Sequence, residues 1–268
     1  MLRAGAAGKV QAARVTEPAS HQADDRPRSR APRPTLARRF VAEGLGTALL
    51  LTTVVGSGIM AERLAAGNVA LALLANTLAT GAGLLAIIFT FGGVSGAHFN
   101  PVVTVADASQ GGLPWRDVAP YIAAQVLGAF AGVVLAHVMF ELPLVSASRH
   151  VRTGFGQWTA EFTATFGLLS VIWGCSRSRP SVTPLAVAAY ITAAYWFTAS
   201  TSFANPAVTL ARAASDTFAG IRPSDAGGFI VAQVLGAGAA TAVFRWLVPG
   251  LSQVADRVIV EKDEEDAA

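Results

Sequence analysis

The sequence predicts an all-α membrane protein with six transmembrane helices and two re-entrant half-helices, arranged as an inverted repeat. Three observations carry that expectation. The 268-residue chain is 53% hydrophobic and only 14% charged, against about 25% charged in soluble globular domains. The run His98-Phe99-Asn100-Pro101-Val102-Val103-Thr104 returns as Phe203-Ala204-Asn205-Pro206-Ala207-Val208-Thr209. Each copy interrupts a hydrophobic stretch at the matching place in one half of the chain, the pattern of a polar site at membrane depth.

Residues 1–37 read as a disordered basic cytoplasmic tail. Arg3, Lys9, Arg14, Arg26, Arg28, Arg30 and Arg33 face only Glu17, Asp24 and Asp25, and Pro18, Pro27, Pro32 and Pro34 break any helix. A nucleic-acid arm is the alternative reading, but a tail obeying the positive-inside rule explains the charge without a nucleic-acid partner. A channel domain follows over 38–250, with repeat one at about 38–140 and repeat two at about 157–248. Residues 251–268 form an acidic cytoplasmic tail ending in Glu264-Glu265-Asp266.

Spans are expected at 38–60, 68–91, 118–140, 157–175, 183–201 and 227–248. A bilayer core about 30 Å thick needs about 20 apolar residues per helix, and stretches such as 68–91 and 121–140 lack the polar stripe of a soluble helix. Between spans two and three lies Gly92-Gly93-Val94-Ser95-Gly96-Ala97, and after span five lies Thr198-Ala199-Ser200-Thr201-Ser202. Both are too short and too polar to cross. Each reads as an extended segment that dips inward and returns as a half-helix, at 101–109 and 206–215. Asn is a strong N-cap and proline fits the first helical position, so Asn100-Pro101 and Asn205-Pro206 start these helices.

Three spans per half put the second half upside down relative to the first. Ala42-Glu43 recurs as Ala160-Glu161, and Ala124-Gln125-Val126-Leu127-Gly128-Ala129 recurs as Ala232-Gln233-Val234-Leu235-Gly236-Ala237. Arg177 and Arg179 fall on the side of the N-terminal tail, as a cytoplasmic face requires, whereas Arg149 and Arg152 fall on the other. The expected location is the inner (plasma) membrane, multi-pass, with both termini cytoplasmic. Cys175 is the one cysteine, so neither a disulfide within the chain nor a cysteine metal site exists.

Inversion brings the two half-helices together N-terminus to N-terminus, each with about half a positive charge. Asn100 and Asn205 can cap their own helices and turn amide N–H donors into a lumen. Such a waist passes neutral hydroxylated solutes and resists cations. Glu43 and Glu161 are the carboxylates deep in the spans. Each can accept backbone N–H bonds from the segment before a half-helix, with a proton relay as the alternative. His98 is expected to fix the loop by hydrogen bonds, with solute contact or pH gating as the alternative. His21, His137 and His150 show no partner pattern.

These residues resemble the major intrinsic protein family, the aquaporins and aquaglyceroporins. The likeness covers about residues 38–248 and rests on Ser95-Gly96-Ala97-His98-Phe99-Asn100-Pro101, the second Asn-Pro-Ala, Glu43 and Glu161, and both Ala-Gln-Val-Leu-Gly-Ala runs. It implies the aquaporin fold, a pore in each subunit, a homotetramer, passive conduction and no cofactor. The chain departs from the pattern at Val102, where alanine is usual, and at Val208, where most of the family carries a filter arginine. By family spacing the other filter positions are Thr80, Ser202 and a span-five residue, either Ala193 or Tyr195. A bulky aromatic stands at the Thr80 position in water-selective members. Thr80 with Val208 is similar to the aquaglyceroporins of bacterial arsenic-resistance operons, which implies conduction of arsenite as arsenous acid and of glycerol-like polyols. Arg212, one turn beyond Val208, is expected either in the outer vestibule or simply as a cation favoured at a helix C-terminus.

Three other functions compete. A water-selective pore would need a narrower filter. A proton-coupled transporter would need titratable groups at the site, where only His98 lies near either Asn. An intramembrane enzyme would need a nucleophile with its base, or a cluster of metal ligands, and the spans carry neither.

Overall fold

The computed structural model describes residues 34–248; the expected acidic tail, 251–268, and residues 1–33 of the expected basic tail, 1–37, lie outside the described residues, and α1 already begins at Leu36 within that tail's bounds. Residues 34–248 fold into α1 (Leu36–Leu64), α2 (Val69–Ser95), α3 (Pro101–Ser109), α4 (Trp115–Met139), α5 (Phe155–Ser178), α6 (Thr183–Phe197), α7 (Pro206–Arg212) and α8 (Pro223–Leu247), with a 3₁₀ turn at Pro180–Val182. No strand occurs among the described residues.

The helix starts follow local chemistry. Thr35 caps α1 and Asn68 caps α2, each accepting from a backbone N–H three residues on. Asn100 and Asn205 cap the two short helices, each followed by proline at the first helical position. Gly96 closes α2 in the left-handed region, at φ 90°.

By length and composition, α1, α2, α4 and α8 can each cross a bilayer. The other two spans depart from that standard for different reasons. Gln157, Glu161 and several threonines dilute α5. Helix α6 has 15 residues, about 22 Å of helix. It ends at Phe197 rather than 201 because the chain turns into the extended segment before Asn205. Helix α7 likewise ends at Arg212 rather than 215. The carbonyls of Ala213 and Ala214 turn away to accept from the N–H groups of Ser148 and Ser146, at 3.0 Å each.

Helix α1 packs on α2 and α4, and α5 packs on α6 and α8. The halves join where α2 meets α6 and where each half-helix crosses to the other half, α3 to α8 and α7 to α4. The ends sort onto two faces. Arg39 at the start of α1 bonds Asp117 at the start of α4 (2.9 Å), and Tyr121 Oη donates to Ser95 O at the end of α2 (2.9 Å). On the other face Arg63 reaches Phe140 O, and Gln157 at the start of α5 reaches Ala199 O after α6. Leu45, Leu49, Leu127, Leu135, Val234 and Leu235 are exposed on the outside of this bundle, as expected where hydrocarbon is the solvent.

Lipid gives helices little reason to associate, so close approach through small residues must hold the pairs. A Cβ on Gly128 would run into Gly44 O, and one on Gly132 into Ala48 O, across α1 and α4. In the second half a Cβ on Gly236 would run into Phe162 O, across α5 and α8. Gly128 and Gly236 are the glycines of the repeated Ala-Gln-Val-Leu-Gly-Ala run.

Gly128→Val and Gly236→Val are each expected to destabilise the fold by about 1–3 kcal/mol or more through overpacking. The check is the thermal unfolding midpoint in detergent. Gly238→Ala, which has nothing within 4 Å of an added Cβ, does not lower that midpoint, and the better helix propensity of alanine raises it if anything.

Candidate functional site

The extended segments before the half-helices carry backbone that L-residues rarely adopt. Ala97 (φ 51°) and Phe99 (φ 49°) lie in the left-handed region before Asn100. Thr201 (60°), Ser202 (51°) and Ala204 (48°) do so before Asn205. Each such residue costs about 1–2 kcal/mol, so the surroundings must hold it in place.

Two buried glutamates do the holding. Glu43 accepts from His98 N–H (3.0 Å), Phe99 N–H (2.7 Å), Ser95 Oγ (2.7 Å) and Gln125 Nε2 (2.8 Å). Glu161 accepts from Phe203 N–H and Ala204 N–H, both at 2.9 Å, and from Gln233 Nε2 (2.6 Å). The second hydrogen of each glutamine amide goes to a half-helix threonine, Gln125 to Thr104 (2.8 Å) and Gln233 to Thr209 (2.9 Å). Each threonine hydroxyl donates back to the carbonyl of its capping asparagine. The two halves thus repeat one network, except that among the described residues Ser95 has no counterpart donating to Glu161.

The asparagines link the halves. Asn100 Oδ1 accepts from Val102 N–H, and Asn205 Oδ1 from Ala207 and Val208 N–H. Asn100 Nδ2 donates to Ala204 O, and Asn205 Nδ2 to Phe99 O, both at 2.7 Å. Each tie therefore ends on a left-handed residue of the opposite segment. An amide carries two hydrogens, and the second on each Asn has no partner among the described residues, so one donor per Asn faces the lumen.

The lumen is a largely apolar cavity of about 450 Å³. Thr80, His98, Asn100, Val103, Tyr195, Ser202, Asn205, Val208 and Arg212 are among the residues lining it. Tyr195 Oη donates to Thr80 Oγ1 (3.3 Å), and the buried Ser202 hydroxyl has no partner among the described residues. Of the two span-five candidates, Tyr195 is buried and lines the cavity whereas Ala193 is exposed outside it. Two residues apart on an α-helix point about 200° apart, so only one can face inward. Val102 is also displaced from expectation, being buried behind the lining while Val103 faces the cavity. Pro101 and Pro206 open α3 and α7 and stay outside the lining. His98 Nδ1 lies 3.0 Å from Thr104 Oγ1 and Nε2 lies 3.7 Å from Asp107.

At the α7 mouth, Asp216 pairs with Arg149 (3.0 Å). The Arg149 backbone N–H and guanidinium hold the Asp216 carboxyl below its ordinary range.

The sequence profile of the family described as MIP, major intrinsic protein, matches residues 30–195. Aquaglyceroporin AqpS of Rhizobium meliloti (strain 1021) is 56% identical over 213 residues, 80% of this chain and 91% of that protein. Aquaglyceroporin-3 of Trypanosoma brucei brucei is 37% identical over 143 residues, 51% of this chain and 46% of that one. Among solved structures, the aquaglyceroporin from Plasmodium falciparum superposes with a TM-score of 0.60 over 82% of this chain and 100% of that chain. At 21% identity that likeness speaks to the fold.

Sequence reasoning missed Gln125, Gln233, Thr104 and Thr209 as parts of the site. The signal existed, since both pairs sit in the repeated runs. It also missed His137, whose Nδ1 faces Pro143 O (2.7 Å) and whose Nε2 faces Ser215 Oγ (2.8 Å), fastening two loops at the α7 mouth. Glu43→Gln and Glu161→Gln each turn an acceptor into a donor facing a donor. Each is expected to cost about 2 kcal/mol or more, read as a lowered unfolding midpoint in detergent. A wild-type midpoint in either variant would contradict the holding role.

Proposed function

The chain belongs to the major intrinsic protein family of passive membrane channels, and from that premise we propose that it conducts small neutral hydroxylated solutes: arsenous acid, glycerol-like polyols and water. The observation that carries this reading is the filter. Val208 stands beside three hydroxyls, Thr80, Tyr195 and Ser202, on the wall of one cavity. Hydroxyls both donate and accept, so they suit a solute whose own oxygens do the same. Valine adds no fixed fork of donors and leaves more room than arginine. The 56% identity to a protein named an aquaglyceroporin supports the same class of solute.

In this reading Asn100 and Asn205 each offer one amide hydrogen at the waist, and the paired helix N-termini disfavour cations there. Glu43 and Glu161 support the loops. Their acceptor sites are filled by the donors described above, which leaves little capacity for proton relay. His98 acts as a loop brace through Thr104. With this reading goes the assembly that the family resemblance implies, a plasma-membrane homotetramer with a pore in each subunit and cytoplasmic termini.

Stopped-flow light scattering of proteoliposomes tests it, with glycerol and arsenous acid uptake followed in parallel. Wild type is expected to admit both solutes quickly. Val208→Arg is expected to cut solute entry by about tenfold or more, the scale of one lost favourable contact or one steric barrier of 1.4 kcal/mol. Fast water flux without solute entry in wild type would instead identify a water-selective pore.

A further inference from the structure

Two arginines at the α7 mouth lack the paired carboxylate that other arginines of the fold have. Arg39 pairs with Asp117, Arg149 with Asp216 and Arg222 with Asp225. Among the described residues, neither the Arg212 nor the Arg152 guanidinium has a carboxylate within 4 Å. The nearby acids are bonded elsewhere, although the Glu161 charge still reaches both guanidiniums from beyond pairing distance. Glu161 holds the Phe203 and Ala204 N–H groups, and Asp225 takes the Arg152 backbone N–H and the Arg222 side chain.

Arg212 is 2% exposed, yet it lines the cavity. Its guanidinium carbon sits over the Phe203 ring, 3.3 Å from the centroid, and Nε donates to Ala219 O. Its two Nη groups make no hydrogen bond among the described residues. Arg152 approaches the same ring, at 5.2 Å, and is held by Gly220 O (2.8 Å) and Ser200 O (3.1 Å). The ring and the carbonyls fix both cations without cancelling their charge. A buried ionisable group without a counter-ion is costly at membrane depth and is retained where it acts on what passes.

We propose that Arg212, reinforced by Arg152, is the cation barrier of this pore, displaced one helical turn along α7 from the filter position that Val208 occupies. The proposal rests on the reading of the cavity as a conducting pore. The fixed positive charge repels hydronium and metal cations at the mouth. The free Nη groups can still donate to the oxygens of a neutral solute.

The test is proton leak into proteoliposomes carrying an internal pH dye, driven by a valinomycin-clamped potassium potential. Arg212→Gln is expected to raise the leak over wild type by about tenfold or more. Arg212→Lys keeps it low. Adding Val208→Arg to Arg212→Gln is expected to restore exclusion, because it returns a charge to the same lumen. A purely structural staple would not be rescued this way. Arg152→Gln gives a smaller rise and serves if Arg212→Gln fails to fold. A wild-type leak in folded Arg212→Gln and Arg152→Gln would overturn the proposal, as would an elevated leak that Val208→Arg does not repair. Rapid glycerol entry with an unchanged leak sinks this proposal alone. A leak governed by Arg212 in a protein that admits no glycerol or arsenous acid sinks the solute reading alone.

Discussion

Irregular backbone in the middle of a bilayer must find all its partners inside the protein, and here that demand falls on two carboxylates. Glu43 and Glu161 each take two consecutive N–H groups from a segment that can form neither helix nor sheet. A carboxylate suits the task because it only accepts and can serve several donors at once. Bonds to a charged acceptor are also the stronger kind. They offset the cost of left-handed alanine, phenylalanine and serine, which no glycine relieves. Once the segments are fixed, the carbonyls of Phe99 and Ala204 point where the opposite asparagine can reach them.

Those cross-ties explain why the sequence repeats at such a distance. A half-helix that stopped at midplane alone would leave its first N–H groups without water. Two of them meeting head to head give each capping asparagine a second job, since its amide can bond the other segment. The same symmetry recurs in the frame. Gly128 and Gly236 let α4 and α8 press against α1 and α5, which brings Gln125 and Gln233 within reach of the glutamates. The glycine that sets helix spacing and the glutamine that steadies the loop lie three residues apart in one repeated run. One close contact therefore serves both packing and pore.

Much of this was legible in the sequence. Paired Asn-Pro steps, paired glutamates and interrupted apolar runs state where the half-helices begin and that the halves oppose one another. Other parts were not legible, for physical reasons. The left-handed residues escaped notice because glycine usually marks that conformation, and these positions carry Ala, Phe, Thr and Ser. The end of α7 depends on bonds to a distant loop rather than on local breakers. Counting spacings left Ala193 and Tyr195 open because it does not say which way a side chain points. The direction of a helical face separates them. Val102 shows the same limit, since adjacent residues of a short helix look equivalent in sequence while only one faces the lumen.

The proposed filter separates two functions that a single arginine would combine. An arginine at the narrowest point supplies a hydrogen-bonding fork, bulk and charge together. Bulk and hydrogen bonding act only at contact, so both vanish from the constriction when the arginine moves by one turn, about 5.4 Å. Charge acts at a longer reach, since its energy falls only as the inverse of distance and is poorly screened in a low-dielectric wall. A cation moved from position 208 to position 212 can therefore keep much of its hold on ions while surrendering the steric gate. On the proposed reading Thr80, Tyr195 and Ser202 set which neutral solutes fit, and the Phe203 ring with its two guanidinium neighbours sets what charge is refused. On this argument a wide pore need not be a leaky one.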